Sequence, residues 1–227
     1  MKIYLVGQSG LLGGCLKREA LFRSIDVLSI GRTISDPSAD IKLDLSRISD
    51  IEKHLDPVAR GDSDDVAILN SGVLGKVALA GELESEEITD VFNINALSNI
   101  LIFKKLYRAG LRRFIVISSG AAQKKYKGWF LYCLSKELQQ SIWKTLASDY
   151  TDIAVLLVAP GVLASSMHDF TDSIERGTFP DLNKFYEIRE NNLYQDPDVS
   201  ARKIIDLISK GDFSESGFEY IDIRDYE

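Results

Sequence analysis

Apolar residues in this chain gather into runs of strand length, and each run but the last leads into a turn and then a stretch with helical spacing. The runs fall at Ile3 to Val6, Asp26 to Ile30, Val66 to Leu69, Phe114 to Ile117, Ile153 to Val158 and Phe218 to Ile223. Helical stretches cover Leu11 to Phe22, Ile48 to Ala59, Glu86 to Ala109, Trp129 to Asp149 and Asp198 to Lys210, with Gly110 and Gly211 where helix C-caps are expected. A short continuous apolar run suits a strand covered on both faces, and parallel strands need a helical crossover between them. The expected fold class is therefore α/β, a doubly wound parallel sheet with helices on both faces. At 227 residues the chain is of a length that one such domain reaches, so residues 1–227 read as a single domain. Only the segment at about 165–195 breaks the rhythm. There Phe170, Phe179, Phe185, Tyr186 and Tyr194 stand among polar residues, as in a lid that covers substrate.

Directly after the first strand comes Gly7-Gln8-Ser9-Gly10-Leu11-Leu12-Gly13, a glycine every third residue opening into a helix. A tight turn in that place lets backbone approach a pyrophosphate resting on the helix N-terminus, the arrangement of a Rossmann domain. Such a domain chooses between NAD and NADP just past its second strand. Here Gly31-Arg32 stands in place of an acidic residue. The Arg32 fork of donors matches a 2′-phosphate, so NADP(H) is the expected cofactor and NAD(H) the alternative.

Tyr132 and Lys136 lie four residues apart, on one face of an expected helix, and Ser119 lies thirteen positions before Tyr132 at the end of an apolar run. A cation beside a phenol stabilises its phenolate and lowers its pKa, and a serine hydroxyl can hold the substrate oxygen that the phenol protonates. Trp129, Phe130, Met167, Phe170 and Phe179 are candidate walls of a mainly apolar substrate pocket.

Taken together, these motifs resemble the short-chain dehydrogenase/reductase family over roughly Met1 to Met167. Asp44-Leu45 looks like the family's adenine-contacting Asp, and Asn70-Ser71-Gly72 resembles its Asn-Ala-Gly. Asn95 falls where the family has its catalytic Asn, and the resemblance thus implies a Ser119-Tyr132-Lys136-Asn95 tetrad. Pro160-Gly161 resembles the turn beside the nicotinamide, with Leu163 and Ser165 following as further cofactor contacts. Ser118 to Ala122, Gly128-Trp129, Tyr132-Cys133, Ser135-Lys136 and, more weakly, Asp222 to Asp225 look similar to the benzil reductase and sepiapterin reductase branch. The resemblance implies NADPH-dependent reduction of a small-molecule ketone or aldehyde, with Lys136 lowering the Tyr132 pKa and bonding the nicotinamide ribose, and Asn95 holding a water. One departure, the Gly-x-x-Gly-x-x-Gly spacing, is more typical of the sugar-nucleotide-modifying subgroup and gives an epimerase or dehydratase with tightly bound NAD as the second reading. A non-catalytic NADPH-binding regulator is the third reading.

A net charge of −7 and the lack of a basic stripe argue against a nucleic-acid partner. No apolar run reaches membrane-spanning length and the N-terminal run is short for a signal peptide, so a cytoplasmic protein is expected. Cys15, Cys133, His54 and His168 form no metal-ligand pattern. The resemblance implies a homodimer or homotetramer paired through the long helices after the third and fourth strands, and apolar residues over Ile94 to Leu106 and Leu131 to Trp143 exceed what one sheet face requires.

Overall fold

The computed structural model describes residues 1–34, 36–37, 40–55, 61–209 and 216–226. Its strands are β1 (Lys2–Val6), β2 (Asp26–Gly31), β3 (Ile41–Lys42), β4 (Val66–Leu69), β5 (Arg113–Ile117), β6 (Ala154–Ala159) and β7 (Gly217–Asp222). All pair in parallel in one sheet of order β3-β2-β1-β4-β5-β6-β7. The doubly wound architecture expected from the apolar runs is the one observed. Strand β3, only two residues long, went unseen because so short a pairing leaves no run to recognise.

The helices are α1 (Leu11–Phe22), α2 (Ile48–His54), α3 (Ser85–Phe92), α4 (Ser98–Ala109), α5 (Phe130–Asp149), the short α6 (Phe170–Ser173), α7 (Asn183–Glu190) and α8 (Pro197–Ser209). The expected extension of the second helix to Ala59, the end of the last helix at Lys210 and the Gly211 cap lie outside the described residues. Gly110 does cap α4, in the left-handed region at φ 116°. Among the described residues no helix is long and apolar enough to cross a membrane.

Side-chain alternation along the strands divides the core in two. On one face Ile3, Leu5, Ile115 and Leu156 pack with Leu12 and Leu16 of α1 and Ile204 and Ile208 of α8. On the other, Tyr4, Val6, Phe114 and Val116 meet Ile102 and Leu106 of α4 and Trp143 of α5. Most of the apolar surplus noted on the fourth and fifth helices is thus spent inside the chain, and Leu97 and Ile100 are the part that remains exposed, at 39% and 41%.

The single long helix expected from Glu86 to Ala109 is interrupted by a π-helical turn over Asn93–Leu97. This wider turn loosens the regular backbone ladder, and nearby side chains bond the local carbonyls: Ser98 Oγ donates to Ile94 O at 3.1 Å and Asn99 Nδ2 to Asn95 O at 3.4 Å. Periodicity alone cannot show a one-residue bulge of this kind.

The turn after β1 depends on a close approach of backbone to backbone. Gly7 sits at φ 91°, its N–H bonded to Ile30 O at 2.8 Å. A Cβ on Gly13 would lie 2.1 Å from Gly7 O and 2.9 Å from Gln8 Cα, whereas one on Gly10 would meet nothing within 4 Å. Gly13→Ala is therefore expected to destabilise the chain by about 1–3 kcal/mol, and Gly10→Ala to leave stability within about 0.5 kcal/mol. Urea unfolding of both variants measures this, and equal midpoints would contradict it.

Candidate active site

The carboxyl ends of the central strands open into a cavity of about 340 Å³. The strand order reverses between β1 and β4, so the turns after these strands part to either side of a crevice, the usual ligand position in such sheets. Asn70, just past β4, closes the floor of that crevice by donating from Nδ2 to Gly7 O at 2.7 Å. Gly10 caps α1 without a side-chain hydrogen bond, and Gly14 N makes its first bond back to Gly10 O at 2.9 Å. The amides at the start of α1 thus have no intrahelical acceptor, and Gly10, Leu11 and Leu12 line the cavity. This donor set fits a pyrophosphate.

Ser119 follows β5 and begins a short 3-10 turn, its Oγ accepting from Ala121 N at 3.1 Å. Because that N–H supplies the accepted bond, the hydroxyl hydrogen is left to donate elsewhere. Tyr132 and Lys136 stand one turn apart on α5, both buried, and all three side chains line the same cavity. Lys136 Nζ donates to Ile117 O at 2.9 Å and to Gln139 Oε1 at 3.1 Å. Two of its three donors are engaged and one remains.

Asn95 is fully buried on the π turn. Its Oδ1 accepts from Val73 N at 2.8 Å, and its Nδ2 donates to Val73 O at 2.8 Å and Ser135 Oγ at 2.9 Å. Ser135 Oγ in turn donates to Tyr132 O at 3.0 Å. Asn95 therefore sits behind the cavity wall and ties α5 to the segment after β4. Gly72 leaves room between the two groups: a Cβ there would lie 3.4 Å from Lys136 Nζ and 3.5 Å from Asn95 Oδ1.

Burial pushes the Tyr132 phenol up, and its hydrogen bond with Ser119 only partly offsets this. The expectation that Lys136 lowers the Tyr132 pKa is not met in this structure, since the ammonium is turned to Ile117 O and Gln139 and desolvation of the phenol dominates. Lys136 itself is lowered by burial to about 8.

Other sequence expectations divide by position. Gly72, Pro160, Gly161, Leu163 and Ser165 line the cavity. Gly7, Gly13 and Ser71 pack beneath the turn, a Cβ on Gly7 meeting Ser71 Oγ at 2.4 Å. Ser9 faces a neighbouring concavity with Gln8, Lys17 and Thr33. Arg32 is exposed just past β2, outside the cavity, and its charge together with bonds from Ser46 outweighs burial to hold Asp44 below the usual carboxylate range. Asp44 Oδ1 accepts from Ser46 N at 3.1 Å and Ser46 Oγ at 2.9 Å, while Leu45 is buried.

Among the proposed walls, Trp129 and Met167 line the cavity. Phe170 stands behind Trp129, ring centroids 5.7 Å apart, and Phe179 packs under Gly128. Phe130 is a correction: it begins α5 pointing outward, is 42% exposed and does not line the cavity. What the sequence reading missed is the polar support, Gln139 and Asn99. Gln139 Nε2 and Trp143 Nε1 both donate to Asn99 Oδ1, at 3.4 and 2.9 Å. Its trace in the sequence is helical spacing, Asn95 with Asn99 and Lys136 with Gln139 and Trp143. Lys124, Tyr126, Lys184, Phe185, Asp222 and Arg224 were also missed as lining residues, because they come from separate elements.

The family model described as short chain dehydrogenase matches residues 27–175. Over their full lengths, the chain is 26% identical to a benzil reductase of Bacillus subtilis strain 168. It is 32% identical to a sepiapterin reductase of Xenopus tropicalis over 70% of this chain and 62% of that one. A solved short chain dehydrogenase/reductase of Saccharomyces cerevisiae superposes with a TM-score of 0.82 at 20% identity, covering 99% of this chain and 97% of that one.

The depressed Lys136 pKa carries a stability signature. The folded group loses its proton near pH 8 and the unfolded one near 10.4, so the unfolded state binds more protons between these values and stability rises with pH across that window. Lys136→Met removes this term. Between pH 7.5 and 10 the wild type is expected to gain roughly 2–3 kcal/mol relative to the variant, measured by urea unfolding; parallel curves would count against a buried ammonium.

Proposed function

The chain belongs to the short-chain dehydrogenase family and is an NAD(P)-dependent oxidoreductase; from this premise we propose that it reduces a ketone or aldehyde of a small molecule to an alcohol with NADPH. The observation that carries this reading is the convergence of the Ser119, Tyr132 and Lys136 side chains on one cavity that also receives the open start of α1. The names of the two reductase relatives support carbonyl reduction.

When bound, the dinucleotide supplies a hydride to the carbonyl carbon. The Ser119 hydroxyl, already accepting from Ala121 N, donates its hydrogen to the carbonyl oxygen and fixes it beside Tyr132. Tyr132 gives up its phenolic proton as charge develops on that oxygen. Burial favours the protonated phenol, so at neutral pH the donor is loaded. The remaining Lys136 N–H would bond a ribose hydroxyl of the dinucleotide. Asn95 serves as a positioning residue, fixing α5 through Ser135 and the cavity edge through Val73.

The amides of Leu11 and Leu12 would hold the pyrophosphate, Pro160 to Ser165 would flank the nicotinamide end, and Asp44 and Leu45 would contact the adenine. Exposed Arg32 takes the 2′-phosphate. The segment from Ser165 to Gln195 covers the substrate, Phe170, Phe179 and Phe185 joining Trp129 and Tyr132 in one buried cluster. Two copies associate through the π turn and α4, where Leu97 and Ile100 are exposed.

Tyr132→Phe is expected to lower NADPH-dependent turnover of aldehydes and diketones by at least about 100-fold, the scale of a lost general acid, while NADPH affinity changes little. Reduced-nicotinamide absorbance and fluorescence titration read the two; undiminished turnover would sink the assignment. Arg32→Ala should weaken NADPH binding by about tenfold or more, as loss of a charge-assisted contact does, and leave NADH binding nearly as it was. Equal losses for the two cofactors would remove Arg32 from the phosphate site.

A further inference from the structure

One wall of the cavity collects cations in a chain whose net charge is −7. Lys124, Lys184 and Arg224 line it, against a single lining carboxylate, Asp222. Lys184 is half-buried on α7, donating to Tyr126 Oη at 2.5 Å and lying 4.2 Å from the centre of the Tyr126 ring and 4.7 Å from that of Phe185. Among the described residues it has no carboxylate partner within 4.0 Å. Lys124 is exposed and likewise forms no ion pair among the described residues. Arg224 directs Nε and Nη2 to Asp222, at 2.8 and 2.5 Å, leaving Nη1 uncommitted to that carboxylate. Asp181, the other acid near Tyr126, does not line the cavity and accepts from Lys127 N at 2.9 Å. Burial lowers the Lys184 pKa and the Arg224 charge lowers it further, so the two cations are near enough to repel. Like charges held together at a partly desolvated site are unfavourable unless an anion joins them.

An aromatic surface connects this wall to the proposed proton donor. Tyr132 meets Trp129 edge-on with centroids 5.5 Å apart, Trp129 stacks on Phe185 at 4.5 Å, and Lys184 lies over Phe185. Two buried nitrogens in the same cluster, Trp129 Nε1 and His168 Nδ1, have no hydrogen-bond partner among the described residues. A molecule with its carbonyl at Tyr132 would lay its body along Trp129 and Phe185 and bring its far end to Lys184 and Arg224.

We propose that the substrate is a carbonyl compound bearing a carboxylate, an aryl or similarly flat oxo-acid, whose carboxylate is bound by Lys184 and Arg224 with Lys124 at the rim. The inference rests on the carbonyl reductase reading and names the substrate class for that site. The cations stand on α7, after β7 and after β5, apart from the glycine turn and Arg32 that serve the cofactor's phosphates.

The test separates binding from turnover. With the full chain saturated by NADP⁺, so that no reduction occurs, calorimetry compares 4-formylbenzoate and 4-acetylbenzoate with their methyl esters. Each carboxylate is expected to bind at least about tenfold more tightly than its ester, as a charge-assisted hydrogen bond gives. The ratio should shrink in about 0.5 M salt, where the Debye length is only about 4 Å, and collapse toward one in Lys184→Gln and in Arg224→Gln, with Lys124→Gln giving a smaller loss. Circular dichroism melts of these variants confirm that they fold. Esters that bind as well as the acids, a ratio that survives both substitutions, or no binding by either acid would overturn the proposal. So would variants that weaken NADP⁺ binding tenfold while keeping the ratio, since the cations would then serve the cofactor. Turnover of the esters with NADPH, and its loss in Tyr132→Phe, tests the reductase reading separately.

Discussion

The ammonium of Lys136 is held out of water between β5 and α5, and the arrangement around it follows from the need to satisfy it. A buried cation is tolerated only where acceptors are in place, and here Ile117 O and Gln139 Oε1 supply them. Gln139 is linked through Asn99 to Trp143, so the lysine's partner is anchored in the apolar core on that face of the sheet. The π turn holds the same helix from another side. It brings Asn95 to Val73 and Ser135, fixing α5 at the height where Tyr132 and Lys136 reach the strand ends.

Parallel strands place every βα turn at one edge of the sheet, which is why residues far apart in the chain share a cavity of about 340 Å³. Gly7 and Asn70 hold its floor by direct contact, and Ser119 and Pro160 reach it from the ends of β5 and β6. The helical segment after β6 adds Phe170, Phe179, Leu182 and Phe185 over Trp129 and Tyr132. That added cluster buries Tyr132. Burial raises the phenol and lowers the amine, the latter to about 8.

Much of this was legible in the sequence. Continuous apolar runs marked the strands because both faces of a parallel sheet are covered, and Gly13 marked the turn because a side chain there would strike the Gly7 carbonyl. Three of the four tetrad candidates, Ser119, Tyr132 and Lys136, do line one cavity, and the fourth, Asn95, stands directly behind it. Less was legible where contacts join elements at long separation. Phe130 was grouped with the pocket by its neighbours, yet helix phase turns it to solvent. Gln139 and Asn99 carry no motif, and their meeting depends on how α4 and α5 pack.

By itself, then, the sequence determined the sheet, its turns and the residue types available for proton transfer, since these follow from periodicity and local backbone geometry. Only the tertiary structure decided their environment: which way Lys136 points, how deeply Tyr132 is buried, and that Lys184 and Arg224 line one cavity with both. Those properties depend on desolvation and on distances between residues up to a hundred positions apart in the chain (~10² residues, separations that chain-local patterns do not encode), and folding alone sets them.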